Sequence, residues 1–159
     1  MFPLSLRMEY SDRFVKETMR MLPAVPETAR TVNAETEFAG HTLPAGTILV
    51  LNILGTHRNE RHWPDPLRFD PDRFLPDNCA NRNPYAFLPF SAGMRNCIGG
   101  RYAMMVMKTL LATVVPKYRI DPVDDVYTKP ADFPMAFDIA SRMVGGVKVI
   151  FTPRASSSA

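Results

Sequence analysis

Phe90-Ser91-Ala92-Gly93-Met94-Arg95-Asn96-Cys97-Ile98-Gly99 is the stretch on which the reading of this chain turns. A lone cysteine closes it. The residues that follow, Gly99 to Lys117, carry an apolar helical pattern, so Cys97 stands at the mouth of a helix. Such a mouth presents unpaired N–H groups and a partial positive charge, and both stabilise a thiolate. Gly93 admits a tight turn with positive φ, and Gly99 admits a flat group close to the helix backbone. Arg95 adds a cation two residues from the sulfur. The set suits a thiolate that holds a metal from one axial side; the competing reading is an inert, buried cysteine. Cys79, in a polar patch between Asn78 and Ala80, keeps that inert reading.

Downstream of the cysteine, Tyr102, Ala103, Val106, Leu110 and Val114 form one stripe, and Met104, Met105, Met107, Leu111 and Val115 fill most of the rest. A helix apolar nearly all round is expected to be buried, so 99–117 reads as a buried helix. Upstream, 59–96 holds six of the 15 prolines together with Trp63, Phe69, Phe74, Tyr85, Phe87 and Phe90. That is too aromatic for a disordered linker and reads as an ordered meander against the body. Before it, 28–58 reads as a β region, with Leu43-Pro44-Ala45-Gly46 as a turn ahead of Thr47 to Leu51. The first helix is expected over 5–22, with Leu6, Tyr10, Phe14 and Met21 on one stripe and Pro23 and Pro26 ending it. At the other end, 135–151 is expected to be a β-hairpin around Gly145-Gly146, and Ala155 to Ala159 a frayed end.

At 159 residues the chain is one domain or part of one. Hydrophobic residues at 46% and charged residues at 22% exclude a disordered tail. Two distant cysteines exclude a disulfide scaffold and a CxxC motif. A net charge of +3 gives no call for a nucleic-acid partner. No stretch has the length of a signal peptide's apolar region or of a spanning helix, so no targeting or transmembrane segment is expected in this chain. His41, His57 and His62 match no zinc spacing with Cys79; His57 reads as a residue that packs or hydrogen-bonds at a strand end.

The first helix contains an anomaly. Glu17 falls within its apolar stripe and Arg20 lies beside it. An unpaired carboxylate there is strongly unfavourable, so the two are expected to pair in the interior; the alternative is a surface pair worth a few tenths of a kcal/mol.

Taken with its neighbours, the run FSAGMRNCIGG resembles the haem-binding signature of the cytochromes P-450, F-x-x-G-x-R-x-C-x-G, at every fixed position. Glu17-Thr18-Met19-Arg20 is similar to the E-x-x-R of that family, and Phe69-Asp70-Pro71-Asp72-Arg73-Phe74 to its meander motif. The motifs stand in the family's order. The resemblance implies a mostly α fold with small β-sheets (α+β), here the C-terminal portion of the family's fold over 1–159, most like microsomal animal members.

It further implies that Cys97 is the catalytic thiolate ligand of the iron of haem b, pushing electron density onto it. Arg95 would pair with a haem propionate, and Phe90, Gly93 and Gly99 would shape the loop around cofactor and sulfur. Arg30 would make a second propionate contact; the alternative is a solvated arginine before a strand. Glu17, Arg20 and Arg73 would form a structural network that locks the meander to the first helix. Ala24 to Thr31 and Pro134 to Phe137 would border the substrate.

The implied activity is monooxygenation of a small apolar substrate with dioxygen, using electrons from NADPH through a flavoprotein reductase. Arg58, Arg95, Arg101 and Lys108 are expected to offer the reductase a cationic docking face. The implied location is the endoplasmic reticulum membrane, reached through an N-terminal anchor upstream of this sequence. Ala39-Gly40-His41-Thr42 is only superficially similar to the family's acid–alcohol pair, since it has His where an acid belongs and lies downstream of Glu17. The chain is therefore expected to lack the distal half of the site and to be inactive alone. The alternative is a non-catalytic haem-binding or interaction module.

Overall fold

The computed structural model describes residues 8–123, 133–138 and 140–154. The first described element is α1 (Glu9–Met21), so Leu6 and the expected first turn lie outside the described residues. Helix α1 buries Val15, Glu17, Arg20 and Met21, whereas Tyr10 is 61% exposed. The buried face is thus rotated away from the apolar stripe read from Tyr10. The meander lies against the C-terminal half of α1: Phe14 meets Phe69 edge to face at 5.4 Å, and Glu17 accepts the Asp70 N–H.

Next come β1 (Glu27–Thr31), β2 (Thr36–Phe38), β3 (His41–Leu43) and β4 (Ile48–Asn52), which form two antiparallel pairs. β2 and β3 make a hairpin whose turn residues Ala39 and Gly40 both have positive φ, the geometry that favours glycine in a two-residue turn. β1 pairs with β4 from Glu27↔Asn52 to Thr31↔Ile48, a partnership between segments that flank the hairpin. Asn52 ends β4 and caps α2 (Ile53–His57) by accepting the Gly55 N–H at 2.6 Å.

The segment from Arg58 to Ile98 contains only short helical turns: Pro71–Phe74, α3 (Pro76–Cys79), Pro84–Ala86 and Gly93–Arg95. Three of these begin at proline, which needs no partner for a missing N–H. Asp70 and Asn83 cap two of them through side-chain oxygens. The core lies here and against α1: Val15, Met21, Ile53, Trp63 and Ala86 are buried, with Glu17, Arg20 and His57 among them. Trp63 is its hub. The indole N–H donates to the Ala86 carbonyl at 3.1 Å, and the guanidinium groups of Arg20 and Arg82 lie over the ring, at 5.1 and 4.1 Å.

Helix α4 (Gly100–Val114) corrects an expectation. It packs on α1, but only Gly100 and Lys108 are buried; Tyr102, Val106 and Leu110 are 69%, 44% and 60% exposed. A helix apolar on every side needs neighbours on every side, and among the described residues α1 is the helix that flanks it. The expected C-terminal hairpin is also corrected. β6 (Met135–Phe137) pairs with β7 (Ser141–Met143), and β8 (Val149–Pro153) pairs instead with β5 (Tyr118–Pro122). Gly145 and Gly146 do turn the chain with positive φ, but they join strands of different sheets. β7 is tied back to the exit of α1, where Ser141 donates through its N–H to Ala24 and through its hydroxyl to Pro23.

Candidate functional site

The loop that carries Cys97 is built from backbone turns. Ser91 and Gly93 take positive φ, of 61° and 78°. The Ser91 N–H donates to the Leu88 carbonyl at 3.1 Å, and the Cys97 N–H donates to the Phe90 carbonyl at 2.9 Å, closing the loop on itself. Helix α4 starts directly afterwards, with Gly99 at its N-terminus and no side-chain cap. Cys97 is exposed at that uncapped end.

The two glycines differ in role. A side chain at Gly99 would meet only the Cys97 sulfur, at 3.8 Å, an ordinary contact. At Gly100, which the sequence reading passes over, an added Cβ would lie 3.1 Å from the Phe90 ring. Phe90 therefore rests on helix backbone that a larger residue would crowd. Arg95 is exposed beside the loop. A groove of about 680 Å³ runs along this face, lined by Phe90, Cys97, Arg101, Met104, Lys16 and Lys108.

The buried Arg20 guanidinium binds Glu17 in a fork, through Nε to Oε2 at 2.7 Å and Nη2 to Oε1 at 2.8 Å. Its Nη1 also donates to the carbonyls of His57 and Pro66, at 2.9 and 2.8 Å. Glu17 Oε1 accepts the Asp70 N–H at 2.9 Å and has Arg73 Nε at 3.5 Å. The remaining Arg73 nitrogens donate to the Pro64 and Asp65 carbonyls, at 2.6 and 2.7 Å. Burial, with the Arg20 charge behind it, pushes Arg73 below the usual guanidinium range, against Glu17, Asp70 and Asp65. Glu17, Arg20 and Arg73 thus meet, and they hold meander carbonyls as well as each other.

Other candidates fall elsewhere. Arg30 sits on β1 and bonds locally, to the Thr28 hydroxyl at 3.2 Å and the Ala29 carbonyl at 2.8 Å. Cys79 is half-buried, its sulfur 3.6 Å from both the Arg73 carbonyl and Arg82 Nη1. Lys108 is a correction: it is buried and pairs with Asp12 of α1, so it cannot present a free charge. Burial alone would raise Asp12, but the hydrogen bonds and charges of Lys108 and Lys16 hold it below its ordinary value. Arg58 also withdraws from the docking face, since it is half-buried and donates to the Met21 carbonyl at 3.0 Å. Arg95 and Arg101 are the cations of that set that remain exposed.

His57 lies at the end of α2, fully buried, between α1 and the segment that leads into the loop. Burial pushes it down from its ordinary 6.5 to about 4; the Arg20 charge acts the same way, and carbonyl contacts at Arg20 and Met19 oppose it. A folded value below the unfolded one means that the unfolded chain binds the extra proton first. This contribution to stability is complete above pH 6.5 and is lost as pH falls towards 4. The expected loss is about 3 kcal/mol, from 1.36 kcal/mol per unit. Denaturation midpoints followed through this range, compared with His57→Gln, test it: the variant should show a shallower acid slope.

The sequence model described as Cytochrome P450 matches residues 4–144. Cytochrome P450 4c3 of Drosophila melanogaster is 40% identical over 92% of this chain, which spans 27% of that relative. Among solved structures, retinoic acid bound cyanobacterial CYP120A1 superposes with a TM-score of 0.84 at 26% identity, over 94% of this chain and 34% of that one. The heme domain of cytochrome P450DA gives 0.85 at 24% identity, over 95% and 32%, which bears on the fold alone. The chain thus spans about a quarter to a third of the proteins it matches. With α+β architecture, motif order and relatives in agreement, this chain belongs to the cytochrome P450 family.

Proposed function

We propose that this chain is the haem-ligating part of a thiolate monooxygenase, in which Cys97 would hold the iron of haem b. The observation that carries this is an exposed cysteine at an uncapped helix N-terminus, inside a complete F-x-x-G-x-R-x-C-x-G run. The residues present fit that cofactor. The donor is a soft thiol at a helix N-terminus, its flank at Gly99 is free of side chain, and a cation stands beside it at Arg95. When bound, thiolate-ligated haem supplies dioxygen activation and transfer of one oxygen atom to an organic substrate.

The chain's own contribution is to hold the sulfur. The loop closes through Cys97 and Phe90, Phe90 rests on Gly100, and Gly93 with Ser91 sets the turn. Arg95, and with it Arg30, is assigned to the propionates, and the Glu17, Arg20 and Arg73 network to supporting the loop from behind. A small apolar substrate, NADPH, a flavoprotein reductase and the endoplasmic reticulum membrane complete the reading. No helix among the described residues is long and apolar enough to cross a membrane. For the reductase, Arg95 and Arg101 are the exposed cations available.

The test is turnover of an apolar probe by the complete protein in isotopically labelled dioxygen, with NADPH and reductase. One labelled oxygen atom should enter each product molecule. Product oxygen derived from solvent, or product formed without NADPH, would contradict the assignment.

A further inference from the structure

The buried His57 makes opposite use of its backbone and its ring. Its carbonyl accepts Arg20 Nη1 at 2.9 Å, so its main chain belongs to the charged network. Its ring Nε2 accepts the backbone N–H of Leu88 at 2.8 Å. Leu88 lies two residues before Phe90, and its own carbonyl accepts the Ser91 N–H that starts the loop's first turn. The Phe87 ring lies 5.3 Å from the imidazole and covers one face.

A backbone N–H can only donate, so Nε2 must be bare. The ring proton of the neutral imidazole then sits on Nδ1, which closes no hydrogen bond of ordinary geometry. What the imidazole supplies is an acceptor, held rigidly in the interior, for an N–H that would otherwise be orphaned.

We propose that His57 is a positioning residue for the thiolate: its unprotonated Nε2 anchors Leu88, and so ties the start of the Cys97 loop to the Glu17–Arg20 network. The anchor stands on the geometry alone, while its consequence for the thiolate rests on the haem-thiolate reading above.

Three measurements on the haem-loaded protein test it. In the parent protein, nitrogen NMR of His57 should show a bare Nε2 and a protonated Nδ1 at neutral pH; a protonated Nε2 overturns the anchor without any variant having to fold. Hydrogen exchange at the Leu88 amide should quicken about tenfold in His57→Leu, which removes the acceptor, and return most of the way in His57→Gln, which offers an amide oxygen. The ferrous carbon-monoxide spectrum should show the fraction of haem lacking thiolate ligation rising about tenfold in His57→Leu relative to the parent, with recovery in His57→Gln. A variant that loses global stability but keeps both Leu88 protection and the parent's ligation ratio makes His57 a packing residue and overturns the proposal. If the parent protein shows no thiolate-type spectrum while the Leu88 results hold, the haem reading fails and the anchor survives.

Discussion

Arg20→Ala is expected to leave little folded protein and no stable haem incorporation. The substitution strands Glu17, which is fully buried, without its forked partner, and it orphans carbonyls at His57 and Pro66. Breaking a buried ion pair from one side costs about 3–5 kcal/mol. Typical domains hold about 5–15 kcal/mol in total, so one substitution removes a large share. Arg20→Lys should not restore the fold, because a single ammonium cannot span two carboxylate oxygens and two separate carbonyls. Glu17→Ala should be comparably damaging, and the double variant should cost much less than the sum, since the second change removes the charge that the first one strands. Denaturant midpoints and haem content of the four proteins decide this. Mild and additive losses would mean that the pair carries no coupled network.

That network is readable from sequence because its members sit at fixed short spacings. Glu17 and Arg20 are one helical turn apart, and a carboxylate near an apolar stripe already asks for a partner. The family motif then names Arg73, although nothing local to Arg73 says which acidic group it approaches. The orientation of α1 is less legible. Tyr10 shares the apolar periodicity with Phe14, yet it lies beyond the meander and stays exposed; which apolar residues are covered depends on what docks, not on the helix itself.

Long-range pairing is the part the residues do not announce. Gly145-Gly146 signals a turn, and turns are local, but the partner of Val149–Pro153 is Tyr118–Pro122, a choice made by tertiary packing. Lys108 has the look of a solvated charge on α4 until α1 brings Asp12 against it. His57 offers no motif at all; its importance comes from a backbone N–H at Leu88, and backbone donors have no sequence signature. Trp63 is legible as an aromatic that must be buried somewhere, but not as a ring contacted by the guanidinium groups of Arg20 and Arg82. The all-round apolar pattern of α4 does register a demand for neighbours, which among the described residues is met chiefly on the α1 side.

The second large effect is expected at Cys97. Its sulfur is exposed at the start of α4, held there by the backbone bond to Phe90. Serine would preserve the loop's backbone contacts while replacing a soft, polarizable thiolate with a hydroxyl that remains protonated and donates little charge to iron. Loss of the ligand should therefore be complete, with little change in the protein's fold. Cys79 is the internal control, since its sulfur is engaged between the Arg73 carbonyl and Arg82 in the meander. The most direct measurement is the carbon-monoxide spectrum of the reduced, haem-loaded protein carrying Cys97→Ser or Cys79→Ser. The red-shifted band of thiolate-ligated haem should vanish in the first and persist in the second; its persistence in Cys97→Ser, or its loss in Cys79→Ser alone, would contradict the assignment of Cys97 as the ligand.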